Sequence, residues 1–364
     1  MDFDEREEEL LILIGLCGDF PNTLIKDLLG GRSWKYKTLQ HFQEDGFLKR
    51  YKKDGLTSLR LTKKGSHYLH QKYPQRFQEQ QKNHLRYQQS DRRKRQRLHD
   101  VATAQIMAHT AGVTIYPDQK PAVFAKLPAL DEKATFEKPC FYTSFELKAQ
   151  YDETIKIRST RAVGALLSST NGYMVYNVNG RLIKWASTSE RKLFSVVESS
   201  LLHWQLHYAQ LEAIMIGQDY QTAYQYLTST GGYRNVYFRL DETYPAFYFL
   251  PSNKIGRYIL RLLCQNSARQ KLKRYLFYRF ALETSPQAAI FPYDALKDGR
   301  AVLLAYENDL EKLKGFKAGL EQFEERGLVI CLAEQLEMLS QYFAHLVDIQ
   351  TIPASLLEKA LNSE

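Results

Sequence analysis

The chain has 364 residues, more than one average domain. Its 44% apolar and 13% aromatic content supplies material for real cores, which excludes global disorder. No apolar run approaches the roughly 18 residues of a membrane span, and the acidic start MDFDEREEEL lacks the apolar core and cleavage site of a signal peptide.

The net charge of +9 is unevenly spread. Residues 1–20 carry one basic and seven acidic side chains, residues 21–97 carry twenty basic and six acidic, and the rest is balanced to +1. Because Lys and Arg dominate nonspecific affinity for polyanions, the stretch 21–97 is where a nucleic acid is expected.

In chain order, Glu5–Cys17 reads as a helix with Leu10, Leu13, Ile14 and Cys17 at helical spacing, ended by Gly18. Pro21 and Asn22 open a second helix over Thr23–Leu29. A third, capped by Ser33, runs to Glu44 with Trp34, Leu39 and Phe42 inward. Two strands, Phe47–Tyr51 and Leu56–Leu61, flank the turn signal Asp54-Gly55, and a short helix follows through His70. This is the element order of a winged helix-turn-helix, in which the third helix enters the major groove and the hairpin touches the backbone.

The residue types suit those roles. Arg32, Lys35, Tyr36, Lys37, Gln40 and His41 lie on the third helix and its entry, where Gln, His and Lys can read base edges. Lys49, Arg50, Lys52, Lys53 and Arg60 surround the hairpin as phosphate contacts. Residues 71–97 form a polar helix or a flexible basic connector, whose terminal Arg92, Arg93, Lys94, Arg95 and Arg97 add phosphate contacts. A buried helix is expected from Leu98 to Ala111.

Beyond an irregular stretch over 113–138, strands and helices alternate. Candidate strands are Val163–Leu167, Tyr173–Asn177, Arg181–Trp185, Ala213–Ile216, Val236–Leu240, Ala246–Leu250, Ala301–Tyr306 and Leu328–Leu332. Candidate helices are Ser189–Ala209, Tyr220–Thr228, Lys254–Phe280, Leu310–Glu324 and Gln335–Leu346. The fold class expected is α+β or α/β multidomain: a winged helix over 1–75, a basic connector and helix over 76–135, and a mixed-sheet α/β domain over 136–364 with at least one parallel pair.

The order of these segments resembles the replication-relaxation family of plasmids and integrative elements. The resemblance rests on the hairpin exit LTKKG (Leu61–Gly65), RQRLHDVATAQIMAHTAG, FYTSFELK, STRAVGALLSS, GYMVYNV and RLIKW, over about residues 5–200. It implies a DNA-binding protein of a mobile element, working in replication or conjugative relaxation, with a second domain of restriction-endonuclease-like fold. A relaxase or replication initiator is the implied protein partner.

A magnesium nuclease of this kind needs carboxylates for the metal and usually a lysine beside them. Two E-x-K triplets occur, Glu146-Leu147-Lys148 and Glu190-Arg191-Lys192, with Asp152 the nearest further acid. The expected hairpin carries Gly164, Ala165, Ser168 and Asn177 where the family pattern wants an Asp, so the larger domain reads as catalytically degenerate. Glu146, Lys148 and Asp152 stand as the weak catalytic set, with Mg as cofactor only in that case. The four cysteines (Cys17, Cys140, Cys264, Cys331) show no CxxC spacing, which argues against zinc and for buried thiols in the cytoplasm. His203 and His207 are four apart but lack a neighbouring carboxylate pattern, and no P-loop occurs; Gly231-Gly232 reads as a turn. The segment from Lys254 is rich in cations (Arg257, Arg261, Arg269, Lys271, Lys273, Arg274), either a solvated face or a second nucleic-acid contact.

The chain therefore reads as a sequence-specific duplex-DNA-binding accessory protein for replication or transfer of a mobile element, needing no cofactor or metal. It is cytoplasmic, without membrane contact, and a homodimer is allowed. The alternatives are a metal-dependent endonuclease or nickase, and a transcriptional regulator whose α/β domain senses a ligand.

Overall fold

The computed structural model describes residues 3–82, 87, 89–125, 133–149, 157, 160–184, 187–208, 210–229, 244–284 and 290–362. The fold is mixed α/β, and its elements fall into two compact units: one of Met1–Lys156 with Val163–Ser169 and Ser195–Leu206, the other of Ile157–Ala162, Thr170–Phe194 and His207–Glu364. No helix among the described residues is long and apolar enough to cross a membrane.

The first unit is built around α1 (Glu5–Cys17), which spans the residues its apolar spacing predicts. Asp4 and Glu7 cap it reciprocally: Asp4 Oδ1 accepts from Glu7 N at 2.8 Å, and Glu7 Oε2 accepts from Asp4 N at 3.3 Å. Every residue from Leu10 to Cys17 is buried, so α1 is a central helix rather than one with a single apolar stripe. A two-residue strand β1 (Phe20–Pro21) follows, then a 3-10 helix over Asn22–Asp27 in place of the α-helix predicted over 23–29. In α2 (Arg32–Glu44) the N-cap is Gly31, without a side-chain hydrogen bond, and Ser33 lies inside the first turn instead of capping it.

Strands β2 (Leu48–Lys53) and β3 (Leu56–Leu61) form the predicted hairpin, with Lys49 opposite Arg60 and Lys53 opposite Leu56. Its turn residues Asp54 and Gly55 both have positive φ (51° and 77°), the conformation that two-residue hairpin turns demand. β1 adds to the far side of β3. Thr62 caps α3 (Lys63–Lys72) by accepting from Gly65 N at 3.2 Å. After α4 (Gln78–Lys82) comes α5 (Arg92–Thr110), capped by Asp91, whose Oδ1 accepts from Lys94 N at 3.0 Å. The basic run is thus the first turns of the buried helix, not a separate connector ending before Leu98. The unit closes with β4 (Cys140–Thr143), the short α6 (Glu146–Ala149) and β5 (Ala162–Leu167), which runs antiparallel to β4.

In the second unit β6 (Gly172–Asn179) is followed by the first half of α7 (Ser187–His203), whose residues from Ser195 on are counted with the first unit, and then by β7 (Glu212–Gly217), α8 (Tyr220–Thr228) and β8 (Phe247–Pro251). β6, β7 and β8 are parallel, as strands joined by helical crossovers should be, and nearly every residue in them is buried. Residues 181–184 form no such strand, and the strand predicted over 236–240 falls outside the described residues. The single helix predicted from Lys254 to Phe280 is two, α9 (Lys254–Cys264) and α10 (Asn266–Arg279), because Gln265 leaves helical geometry (φ −118°, ψ 86°).

The remaining strands are β9 (Glu283–Thr284), β10 (Ala295–Lys297) and β11 (Arg300–Leu304), then, across α11 (Leu310–Phe323), β12 (Gly327–Leu332). α12 (Leu336–Phe343) leads to β13 (Val347–Ile352), and α13 (Ser355–Asn362) ends the described chain. The order across this sheet is β13-β12-β11-β10-β9, with the first three parallel and the β9-β10-β11 meander antiparallel.

Candidate nucleic-acid interface

The basic residues singled out in the sequence divide into two sets. One set is exposed. On α2, Thr38, Leu39 and Phe42 are buried, while Arg32, Tyr36, Lys37, Gln40 and His41 lie on the solvent side. Arg32 stacks over the Tyr36 ring with its guanidinium 5.9 Å from the centroid. Gln40 Nε2 donates to Glu44 Oε1 at 2.9 Å, and His41 Nε2 lies 3.3 Å from Asp45 Oδ2, so both polar heads are aligned along the helix by acids one turn ahead. On the hairpin Lys49, Arg50, Lys52 and Lys53 are exposed, and at the start of α5 so are Arg92, Arg93 and Lys94.

The other set is structural, and these residues correct the sequence reading. Lys35 is 5% exposed. It shares the inward stripe of α2 with Leu39 and Phe42, and its Nζ donates to Leu28 O at 2.9 Å and Lys26 O at 3.2 Å. It closes the carbonyl end of the 3-10 helix and cannot reach a base edge. Burial pushes its ammonium below the usual lysine range, against the opposing pull of Asp27.

Arg60 and Arg95 are buried around Asp19, which is fully enclosed. Arg60 Nε and Nη2 donate to the two Asp19 oxygens at 2.8 and 3.0 Å, Arg95 Nε donates at 2.9 Å, and His99 Nε2 lies 3.4 Å away. One carboxylate cannot neutralise two guanidiniums, so neutral acceptors take the remaining donors. Arg95 Nη1 donates to Lys53 O at 2.8 Å, Arg95 Nη2 to Ser58 Oγ at 3.1 Å and Arg60 Nη2 to Gln89 O at 2.6 Å. The Tyr51 ring lies against both guanidiniums, with centroid distances of 3.8 Å to Arg60 and 4.6 Å to Arg95. Burial alone would raise the Asp19 carboxyl; hydrogen bonds from His99, Arg60, Arg95 and Ser58 outweigh it and hold the group well below the usual carboxylate range. Arg97, one turn from Arg93, is half-buried and engaged within the protein.

This clasp sets the geometry of the exposed cations. It ties Arg95, the second residue after the exposed Arg92-Arg93 pair, to the backbone of Lys53 at the hairpin tip, so the two groups of cations are held side by side. A signal for it was present in the sequence. Arg95, Leu98, Ala102 and Gln105 recur at helical spacing and all are buried, as Lys35, Leu39 and Phe42 are on α2.

Of the weak catalytic set, Glu146 is engaged within its own segment. Glu146 Oε2 accepts from Thr143 N at 2.8 Å and Thr143 Oγ1 at 3.0 Å, and its Oε1 lies 2.8 Å from Lys120 Nζ. Its oxygens are spent on starting α6 and on an ion pair. Lys148 is half-buried and makes an interaction of its own, and Asp152 lies outside the described residues. Glu190 is buried in the first turn of α7 and accepts from Arg161 N. α7 ends at His203, whose Nδ1 donates to Ser199 O at 2.6 Å, so His207 falls beyond the helix. No cluster of three or more His, Cys, Asp or Glu fit for a metal occurs among the described residues. Cys17, Cys140 and Cys331 are buried free thiols and Cys264 is partly so; burial pushes the Cys140 thiol up to about 11.

Comparison with protein-family models, with curated proteins and with solved structures found no match to this chain.

Proposed function

We propose that the segment from α1 to α3 is a winged helix that binds duplex DNA, with α2 as the recognition helix. Arg32, Tyr36, Lys37, Gln40 and His41 read the major groove, while Lys49, Arg50, Lys52 and Lys53 on the hairpin and Arg92, Arg93 and Lys94 on α5 grip phosphates. The observation that carries this reading is the Asp19 clasp, which holds the hairpin and the start of α5 as one rigid cationic edge beside a helix whose outward face is polar and basic. Pre-organised cations lose less entropy on meeting a polyanion than cations on a floppy linker.

In this proposal the protein is a cytoplasmic accessory factor for replication or transfer of a mobile element, acting on duplex DNA with a relaxase or replication initiator as partner, and with a homodimer matching a two-fold site. The engaged state of Glu146 gives the nuclease alternative no support. The regulator alternative draws on one feature, a cleft of about 260 Å³ in the first unit between α1, α5 and β4. Its lining includes Leu16, Ile115, Phe124 and Tyr142.

A mobility-shift assay on duplex DNA at moderate salt tests the main reading, with Lys37→Ala/Arg50→Ala as the disrupting variant. Absence of binding, or binding indifferent to that variant, overturns it.

A further inference from the structure

Helix α10 presents a face that the duplex-binding surface does not use. Ala268, Leu272 and Leu276 recur four apart and are buried. The flank beside that stripe carries Lys271, Arg274, Tyr275 and Tyr278, and Arg279 stands in the last turn, all of them exposed. Tyr278 is 88% exposed and Tyr275 44%, unusual for rings of that size. The helix contains five cations and no acid. α11 differs in composition: there Glu311 and Glu321 share the helix with Lys312, Lys314 and Lys317. Exposed helices ordinarily alternate sign in that way.

The platform is also firmly seated. Arg269 Nε donates to Glu307 Oε1 at 2.6 Å and its Nη2 to Tyr248 OH at 3.2 Å, and α10 packs against α13. The tyrosines are three residues apart, about 4.5 Å along the axis, so both rings project from adjacent turns of one side.

We infer that this face of α10 is a second nucleic-acid contact, which takes single-stranded DNA by stacking bases on Tyr275 and Tyr278 while Lys271, Arg274 and Arg279 meet the phosphates. In a duplex the base faces are stacked on each other and the rings would find nothing to cover them; in a single strand every base offers a face. The choice of DNA over RNA rests on the DNA-handling reading above. An accessory factor of replication or transfer meets opened strands as well as duplex.

The test is fluorescence anisotropy of labelled oligo(dT) with the full-length protein, alongside a labelled duplex. The parent binds oligo(dT) with strong salt dependence. Tyr275→Ala/Tyr278→Ala weakens it by about 5- to 150-fold for each stacking ring removed, while Tyr275→Phe/Tyr278→Phe, which keeps the rings, binds like the parent. Neither variant alters duplex affinity, which responds to Lys37→Ala/Arg50→Ala instead. Oligo(dT) affinity unchanged by the alanine pair, or lost equally in the phenylalanine pair, overturns the inference. So does a stronger preference for oligo(U), or a tyrosine dependence that shows only on phosphatidylserine vesicles. Failure of duplex binding alone removes the winged-helix reading; the stacking face is then judged by the tyrosine dependence of oligo(dT) binding, and its choice of DNA by the comparison with oligo(U).

Discussion

Asp19→Asn isolates the clasp from the DNA-reading face. The substitution keeps the shape and one acceptor oxygen but removes the carboxylate charge shared by Arg60 and Arg95, both of which stay buried. The buried side chain offers water no easy route in, so the two guanidiniums repel in a low-dielectric site. Removing one partner of such a buried ion cluster costs about 3–5 kcal/mol, a large part of the about 5–15 kcal/mol that stabilises a typical domain. Urea unfolding followed by tryptophan fluorescence reads this directly, because Trp34 sits on α2 in the same unit. With a slope of about 1–3 kcal/mol per molar, the midpoint should fall by about 1 M or more. The control is Glu44→Gln, on the exposed side of α2 in the same unit, where only the contact with Gln40 changes and the cost should stay within about 0.5 kcal/mol. A midpoint for Asp19→Asn no lower than that of the control would refute the clasp as the device that joins α5 to the hairpin. The pH dependence carries the same sign. The Asp19 carboxyl is held below its unfolded value, so its contribution is full above the unfolded pKa of about 3.9 and is lost as pH falls through the folded value. The parent should therefore weaken on acidification below that range, and Asp19→Asn should show a shallower decline.

Other substitutions separate binding from folding. Lys37→Ala/Arg50→Ala should reduce the slope of log affinity against log salt by about 1, from the phosphate contact of Arg50, with the melting temperature unchanged. Arg95→Met should destabilise the first unit by about 2–4 kcal/mol, whereas Arg92→Ala/Arg93→Ala should leave stability within about 0.5 kcal/mol and lower duplex affinity; equal melting temperatures for the two variants would contradict the assignment. Gly65→Ala tests the LTKKG segment: a Cβ there would stand 2.3 Å from Phe47 O, a backbone atom that cannot rotate away. Calorimetry should register a loss of about 1–3 kcal/mol from the forced shift of α3 against β2.

Local chemistry determined much of this fold. α1 and α8 occupy the residues their spacing and caps predict, and Asp54-Gly55 turns the hairpin because two positive φ values cost those residues little. The crossover helices between parallel strands were also legible, since buried parallel strands read as continuous apolar runs. β13 was not: its pattern VDIQTI is half polar because it is the edge strand of its sheet, paired on one side only.

The exposed half of the candidate site followed from residue type and helical phase. Which cations were free to meet a ligand was decided only by the tertiary structure. Lys35, Arg60 and Arg95 carry the same charge as their neighbours and sit among them in sequence. What distinguishes them are carbonyls and one carboxylate brought close by folding, with Asp19 lying 41 residues before Arg60 and 76 before Arg95. A basic run records where positive charge is concentrated. Whether each side chain turns outward depends on whether the fold sets a buried acceptor opposite it, because an unpaired cation cannot be buried without one.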